Sequence, residues 1–371
     1  MDPSRATGVD RSPTRLAAAC LGAVVAFFAV DAALFRTTLY PSFLEPDSSV
    51  GLFEMILRRE QEAQRRNGDG LVATLGDSRF AVSPRLCNVL TPQSGLVFRS
   101  AGVAGTDARA WYYMLRDLDP EANRYRALVL GVTNYDDEGD SFNNADDERT
   151  LHYVVNRLRL SDVFDFAFSF DDPALRFRAL RGGLAKGFVF ARDVRGFLEK
   201  PRRRVDYVRQ CRAGFEEWTY DFEETSTTMA GLSIDWEKRV ATFPPGASDD
   251  QRGTVNAELT EPLRVQERLA RFQRRWFGRI VDRYRGSRTA VIFLRLPRGP
   301  IPPPATAPAA TSSIRELARR PGVVLADEHA FDFLERPELF KDGSHLNRDG
   351  IALFCPRLVE EVARLLRRVS S

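Results

Sequence analysis

The chain is poor in the side chains from which many reactive sites are built. Its 371 residues hold three histidines, four cysteines and four methionines. The cysteines (20, 87, 211 and 355) form no CxxC pair and no Cys/His spacing, which argues against a thiolate metal site. Cys20 falls in an apolar segment and leaves an odd three, so spacing defines no disulfide framework. Lysine occurs only at 186, 200, 238 and 341, so almost every basic side chain is arginine. The net charge of +3 is too small to form a nucleic-acid footprint. There is no internal repeat and no second long apolar run. What is present is a folded-protein composition, 43% hydrophobic and 28% charged, long enough for one large domain or two smaller ones.

The one apolar run is "LAAACLGAVVAFFAVDAALF", residues 16–35, broken by a single charge at Asp31. Twenty helical residues reach about 30 Å, one hydrocarbon core. Arg5, Arg11 and Arg15 precede it, so the positive-inside rule predicts a cytoplasmic tail (1–15), a transmembrane anchor (16–35) and an external remainder. A cleaved signal peptide fits less well, because Ala29-Val30-Asp31 is a poor cleavage site, and the almost unbroken apolar character and arginine flank argue against a buried core helix. Only four apolar residues precede Cys20, which excludes a lipoprotein signal.

Residues 36–70 read as a stalk and an amphipathic helix ended by Asn67-Gly68. Strands follow at 71–75, within 94–102 and at 126–134, with a short helix at 110–118. The third strand is uniformly apolar, as a strand covered on both faces should be. This rhythm predicts right-handed βαβ units and a parallel sheet over 71–137. It returns in 258–371: a helix over 260–286 with Thr260 as N-cap and Gly286 as stop, a strand at 289–297, a proline-rich loop (297–308), a helix near 312–320 and a strand at 322–328. A last helix is capped by Asn347. In the helix 260–286, Leu269, Phe272, Trp276, Ile280 and Tyr284 form one core-facing stripe. Residues 138–257 break the rhythm and read as a large insertion of undefined fold.

Sites on parallel sheets form at the carboxyl ends of strands. Ser78, in "VATLGDSRF", follows such an end; "AGVAGTDA" (101–108) follows the second strand, and Asn134 ends the third. "FKDGSHLNRDG" (340–350) opens the final helix on the same edge. Acyl transfer needs a serine, a histidine to take its proton, an acid to hold the imidazole and donors for the developing oxyanion. His345 can serve as base and Asp342 as its orienting acid. The Ser78 and Gly105 N–H groups and the Asn134 amide can supply the donors. Taken singly, Ser78 is a capping serine, His345 a surface histidine and Asn134 a loop residue; their order along one edge joins them.

These residues resemble the four blocks of the SGNH (GDSL-type) hydrolase superfamily: Gly76-Asp77-Ser78, the glycine loop, Gly131 to Asn134, and Asp342-x-x-His345-Leu-Asn-x-x-Gly. The resemblance covers about 71–137 and 288–366. It implies a three-layer, flavodoxin-like parallel sheet, here carrying a large insertion and one preceding transmembrane helix. It also implies Ser78 as nucleophile, His345 and Asp342 as its dyad, and Ser78, Gly105 and Asn134 as oxyanion donors, with no metal or organic cofactor. Many members carry Gly-x-Asn-Asp, whereas here Thr133 precedes Asn134 and Tyr135-Asp136 follow; Gly102 competes with Gly105.

Together with the anchor, the likeness is to membrane-tethered polysaccharide O-acetyltransferases of the alginate-acetylation type. That implies an extracytoplasmic domain on a bacterial inner membrane, an acyl donor, a carbohydrate acceptor and a multi-spanning membrane O-acyltransferase partner. A carbohydrate or lipid esterase would use the same residues. An anchored, non-catalytic glycan-binding scaffold is the reading from outside enzymology. Three further features stand beside these. His329 competes with His345 as base, and His152 reads as structural or exposed. The acidic run 136–148 lacks the ligand spacing of a calcium loop and reads as a solvated loop. Residues 176–212 carry twelve Arg or Lys against three acids, with Phe188, Phe190 and Phe197 interleaved. That stretch reads either as a solvated helical face or as a surface for anionic headgroups or glycan.

Overall fold

The computed structural model describes residues 13–370 apart from 38, 67–70, 81–86, 90, 140–143, 216–224, 261–263, 266 and 305–310. Nine strands follow in chain order: β1 (Leu71–Leu75), β2 (Val97–Ser100), β3 (Ala127–Val132), β4 (Glu138–Gly139), β5 (Ser233–Asp235), β6 (Val240–Thr242), β7 (Arg264–Val265), β8 (Ala290–Arg295) and β9 (Val323–Leu325). Five of them form one parallel sheet in the order β2-β1-β3-β8-β9. The two remaining pairs, β4–β7 and β5–β6, are short and antiparallel. The protein is therefore α/β, as the spacing of its apolar strands predicts.

Every residue of β1, β3 and β8 is buried, because helices cover both faces of the sheet. Alternate residues point to opposite sides. Val72, Val129, Ile292 and Leu294 share a core with Phe354, Leu358 and Val362 of the final helix, Arg348–Ser370. Phe293 points the other way and meets Phe277 of the helix Glu267–Arg283 edge-on at 5.1 Å. The caps follow local chemistry. Asp107 accepts from the Arg109 and Ala110 N–H groups to start the helix Ala108–Leu118, and Asn347 accepts from Gly350 N–H to start the last one.

Three expectations need correction. Thr260 is not an N-cap: it closes a preceding helix, Asp249–Thr260, and the next begins at Glu267. Pro262, which cannot donate to a helical ladder, stands between them in the sequence. The acidic run is not solvated throughout, since Asp136, Asp137 and Asp147 are buried. Asp147 pairs with Arg109 and Arg268, Asp136 pairs with Arg315, and Asp137 accepts from Ser313 N–H. A framework also exists where spacing defined none. Cys87 and Cys355, 268 residues apart, form a disulfide with Cα atoms 4.7 Å apart.

The stretch 138–257 is mostly helical, and the chain divides into two compact units across it. One holds 52–154 and 210–371, including the sheet; the other holds 1–51 and 155–209. In the second unit the helix Pro13–Phe35 is long and apolar enough to cross a membrane. Its lone charge has a structural role. Asp31 is buried and accepts from the Lys186 and Gly187 N–H groups at 3.0 and 2.6 Å, at the start of the helix Gly187–Glu199. A carboxylate at a helix N-terminus satisfies donors that would otherwise lack partners. Residues 1–12 of the expected cytoplasmic tail lie outside the described residues.

Candidate active site

The turn after β1 is shaped by Phe80. This ring is buried between two glycines: a Cβ at Gly76 would lie 2.4 Å from the Phe80 Cβ, and one at Gly131 would lie 2.5 Å from its ring. Phe80 also meets Phe354 of the final helix edge-on at 6.1 Å. The glycines directly after β1 and within β3 thus seat an aromatic wedge, and the wedge turns the chain so that Ser78 leaves the sheet edge half-buried.

The loop before the final helix is fixed from several sides. Gln251 donates to Lys341 O at 2.6 Å, and Thr254 Oγ1 accepts from Gly343 N–H at 3.1 Å. The Asn347 side chain donates to Glu338 O and Thr227 O. A Cβ at Gly350 would fall 2.4 Å from Leu339 O, which explains the glycine that closes the Asp-x-x-His-Leu-Asn-x-x-Gly block. Gln251 and Thr254 come from the segment that breaks the βαβ rhythm, so part of that segment braces the loop. Sequence spacing carried no sign of it.

Between turn and loop, Ser78, His345 and Asp342 come together in line. His345 Nε2 lies 2.8 Å from Ser78 Oγ, and His345 Nδ1 lies 2.9 Å from Asp342 Oδ2. Asp342 Oδ1 also accepts from the Ser344 and His345 backbone N–H groups, each at 2.9 Å. Burial pushes the Asp342 carboxyl up, but the bond and charge of the His345 ring and the two N–H donors outweigh it. The net effect holds it below the usual carboxylate range. An ionised Asp342 keeps the proton of a neutral imidazole on Nδ1 and leaves Nε2 free to accept from Ser78.

The expected oxyanion donors are placed as follows. Asn134 Oδ1 accepts from Asp136 N–H at 3.2 Å, which turns the amide so that Nδ2 is left to donate. Gly102 N–H is taken by Ser100 Oγ at 3.3 Å. Among the described residues, the Ser78 and Gly105 N–H groups have no hydrogen-bond partner. Gly105 has φ +70°, where a Cβ would also press on Arg149.

Two side chains that spacing did not point to complete the edge. Arg79 forks onto Asp77, with Nη2–Oδ2 at 2.6 Å, and reaches Thr133 Oγ1 at 2.7 Å, tying the end of β1 to the end of β3. The only sequence signal was a charge directly after the serine. A pocket of about 210 Å³ opens beside Asp77, Arg79 and Asn134. Trp111 and Phe272 form part of its wall, as does Gln273. Gln273 is buried, and among the described residues its Oε1 has no partner.

The other histidines lie elsewhere. His329 is exposed and pairs with Asp332, and His152 is exposed on the helix Asn144–Val154. Among the described residues, no cluster of His, Cys, Asp and Glu could hold a metal ion. No protein-family model matches the chain, and no curated protein matches it.

Proposed function

We propose that the protein is a membrane-anchored serine O-acyltransferase of SGNH type, acting outside the cytoplasm of a bacterium. The observation that carries the reading is the unbroken line Ser78 Oγ–His345 Nε2 and His345 Nδ1–Asp342, at 2.8 and 2.9 Å. It ends at a sheet edge that also holds Asn134 and Gly105. The strand order, which counted within the sheet is 2-1-3-4-5, supports the flavodoxin-like SGNH assignment.

In the proposed reaction, Ser78 Oγ attacks the carbonyl carbon of the acyl donor while His345 Nε2 takes the hydroxyl proton. The carbonyl oxygen becomes an oxyanion facing the Ser78 and Gly105 N–H groups and Asn134 Nδ2. Collapse expels the donor's leaving group, which takes the proton from His345, and leaves an acyl-serine. A sugar hydroxyl then gives its proton to His345 and attacks the same carbonyl. The second collapse releases the acylated sugar and returns the proton to Ser78. Asp342 stays ionised and stabilises the imidazolium formed in each half.

The pocket supports a hydroxyl-bearing acceptor. At about 210 Å³ it suits one ring or a short group better than a lipid tail. Its wall sets Asp77, Arg79, Thr133 and Asn134 beside Trp111 and Phe272, polar groups that sugar hydroxyls can meet and an alkyl chain cannot. The external location is supported by Arg5, Arg11 and Arg15 before the apolar helix. It is also supported by the Cys87–Cys355 disulfide, a bond kept in oxidising compartments. The multi-spanning acyltransferase partner stays part of this proposal as the source of the acyl group.

The test uses the full chain and its Ser78→Ala variant with 4-nitrophenyl acetate, with and without cello-, chito- and mannuronate oligosaccharides. Loss of the nucleophile should lower ester turnover by on the order of 10⁴–10⁶-fold. Acetylated oligosaccharide formed only with Ser78 present establishes transfer, whereas Ser78-dependent acetate without acetylated sugar establishes the esterase. Turnover independent of Ser78 refutes both.

A further inference from the structure

We propose that the helices of residues 155–209 lie in the lipid–water interface beside the anchor, with Leu160, Phe164, Phe168, Phe177, Leu184 and Phe188 set into the bilayer surface. These six side chains are 41% to 63% exposed. Phe164 and Phe168 stand four apart on the helix Val163–Ala167 and its C-cap, on one face, and Leu160 lies in the 3-10 turn that leads into that helix. Phe177 and Leu184 stand seven apart on the helix Pro173–Leu184, again on one face. Among the described residues of the sheet unit the large exposed apolar side chains are Val89, Val240, Phe333, Leu353 and Val369, scattered singly over a much longer chain. Scattered residues of that kind are ordinary, whereas a concentrated set marks a surface that something covers.

The continuity of this surface with the apolar helix identifies what covers it. Phe188 lies 6.3 Å from Phe27 of that helix, and Phe35 stacks on Phe190 at 5.3 Å. Asp31 holds the Lys186 and Gly187 N–H groups, and Arg36 donates to the Leu184 carbonyl at 3.0 Å. Leu184 and Phe188 are therefore held at the level of Phe27 to Arg36, the end of the segment long enough to cross a bilayer. When that segment spans a bilayer, this level is the boundary between acyl chains and headgroups, where rings with polar neighbours settle.

Charge fits the same occupant around Phe177, Leu184 and Phe188, whereas in 155–175 Asp162, Asp165, Asp171 and Asp172 outnumber Arg157 and Arg159. Twelve Arg or Lys stand against three acids over 176–212, and all but the buried Lys186 and Arg204 are at least partly exposed. Of those acids, Asp193 is engaged by Arg204 and Tyr40. The Arg181 guanidinium sits over the Phe188 ring at 5.1 Å, a cation held against the apolar face. Anionic headgroups are the complementary partner.

The inference rests on the anchor reading of residues 13–35 and is independent of the Ser78 chemistry. Nitroxide labels placed one at a time at Phe164→Cys, Phe168→Cys and Phe177→Cys would test it. The background is the full chain with Cys20→Ser and Cys211→Ser, in vesicles of phosphatidylcholine and phosphatidylglycerol. Leu21→Cys reports the anchor, and Phe333→Cys reports an exposed position of the sheet unit. Oxygen partitions into lipid and a nickel chelate into water, so the ratio of their collision rates reads the surroundings. All three labels should show ratios several-fold above Phe333→Cys and below that of Leu21→Cys, which sits deeper in the bilayer. Water-like ratios at the three sites, with Leu21→Cys in lipid, overturn the proposal and leave the anchor standing. A water-like Leu21→Cys overturns the anchor and the proposal with it. Low access to both reagents overturns it in favour of a protein contact, such as a second copy.

Discussion

His345 with Asp342 and His329 with Asp332 are the same two side chains at the same three-residue separation, yet only one pair meets a serine. Both rings approach their acid through Nδ1, at 2.9 and 2.7 Å. The surroundings differ. The His345 and Asp342 side chains are 20% and 4% exposed, whereas those of His329 and Asp332 are 77% and 36% exposed. Asp342 accepts two backbone N–H groups besides the ring, so its geometry is over-determined. Asp332 also pairs with Arg295, a buried guanidinium at the end of β8, and holds that strand end in place. A turn brings His and Asp together at little cost, so the pair alone is weak evidence of chemistry. Enclosure and the third group give the pair its meaning.

The sharpest way to break this comparison is to remove each ring in turn. His345→Ala should lower Ser78-dependent ester turnover by on the order of 10⁴–10⁶-fold, because Ser78 loses the group that takes its proton. His329→Ala should stay within about twofold, as surface changes away from a site usually do. Steady-state hydrolysis of 4-nitrophenyl acetate measures both. Comparable losses in the two variants, or loss only in His329→Ala, would overturn the assignment of the base.

How far this contrast was legible beforehand depends on which contacts are local. The central strands stood out because a strand covered on both faces is nearly all apolar, as β3 is throughout and as β1 and β8 are apart from Thr74 and Arg295. The Ser78, Asn134 and His345 segments could be placed on one edge because parallel connectivity puts every strand's carboxyl end there. Contacts between distant segments left no pattern. Nothing in "DDQRGT" announces that Gln251 and Thr254 brace the loop of His345, and a 268-residue separation gives Cys87 no visible partner. Asp31 was visible only as a flaw in an apolar run. Its function as a cap depends on a helix some 155 residues later. The helices of 155–209 evaded the reading for another reason: their exposed phenylalanines blur the period that a solvated helix would show.

A smaller effect separates the donors from the dyad. Asn134→Ala removes Nδ2 from the proposed oxyanion position and leaves the line from Ser78 to Asp342 untouched. Turnover should fall by about 10²–10³-fold, the usual cost of one such donor. The loss should appear in kcat with KM little changed, since the charge it stabilises exists only in the transition state. An unchanged kcat would remove Asn134 from the site and leave the backbone N–H groups of Ser78 and Gly105 as the donors.

The smallest effect is one of stability, and its sign follows from the two acids. Burial raises both carboxyls, but the bonded rings outweigh it in each case. The backbone donors assist at Asp342 and Arg295 assists at Asp332, so both are held below the ordinary range. A carboxyl depressed in the folded state contributes stability in full above its unfolded value, near 3.9 for aspartate. That contribution is lost as pH falls through the folded value. Asp342→Asn should therefore cost stability at neutral pH and little in strong acid, which narrows the gap between the two conditions. Asp332 is more exposed, so solvent screens its bond to His329, and His329→Ala should narrow the gap less. Urea midpoints at pH 7 and near pH 2, about two units under the unfolded reference of 3.9 so as to pass below the depressed carboxyls, measure both gaps. If His329→Ala narrowed the gap as much as Asp342→Asn, the two pairs would be energetically alike. Enclosure would then no longer be what sets the Ser78 pair apart.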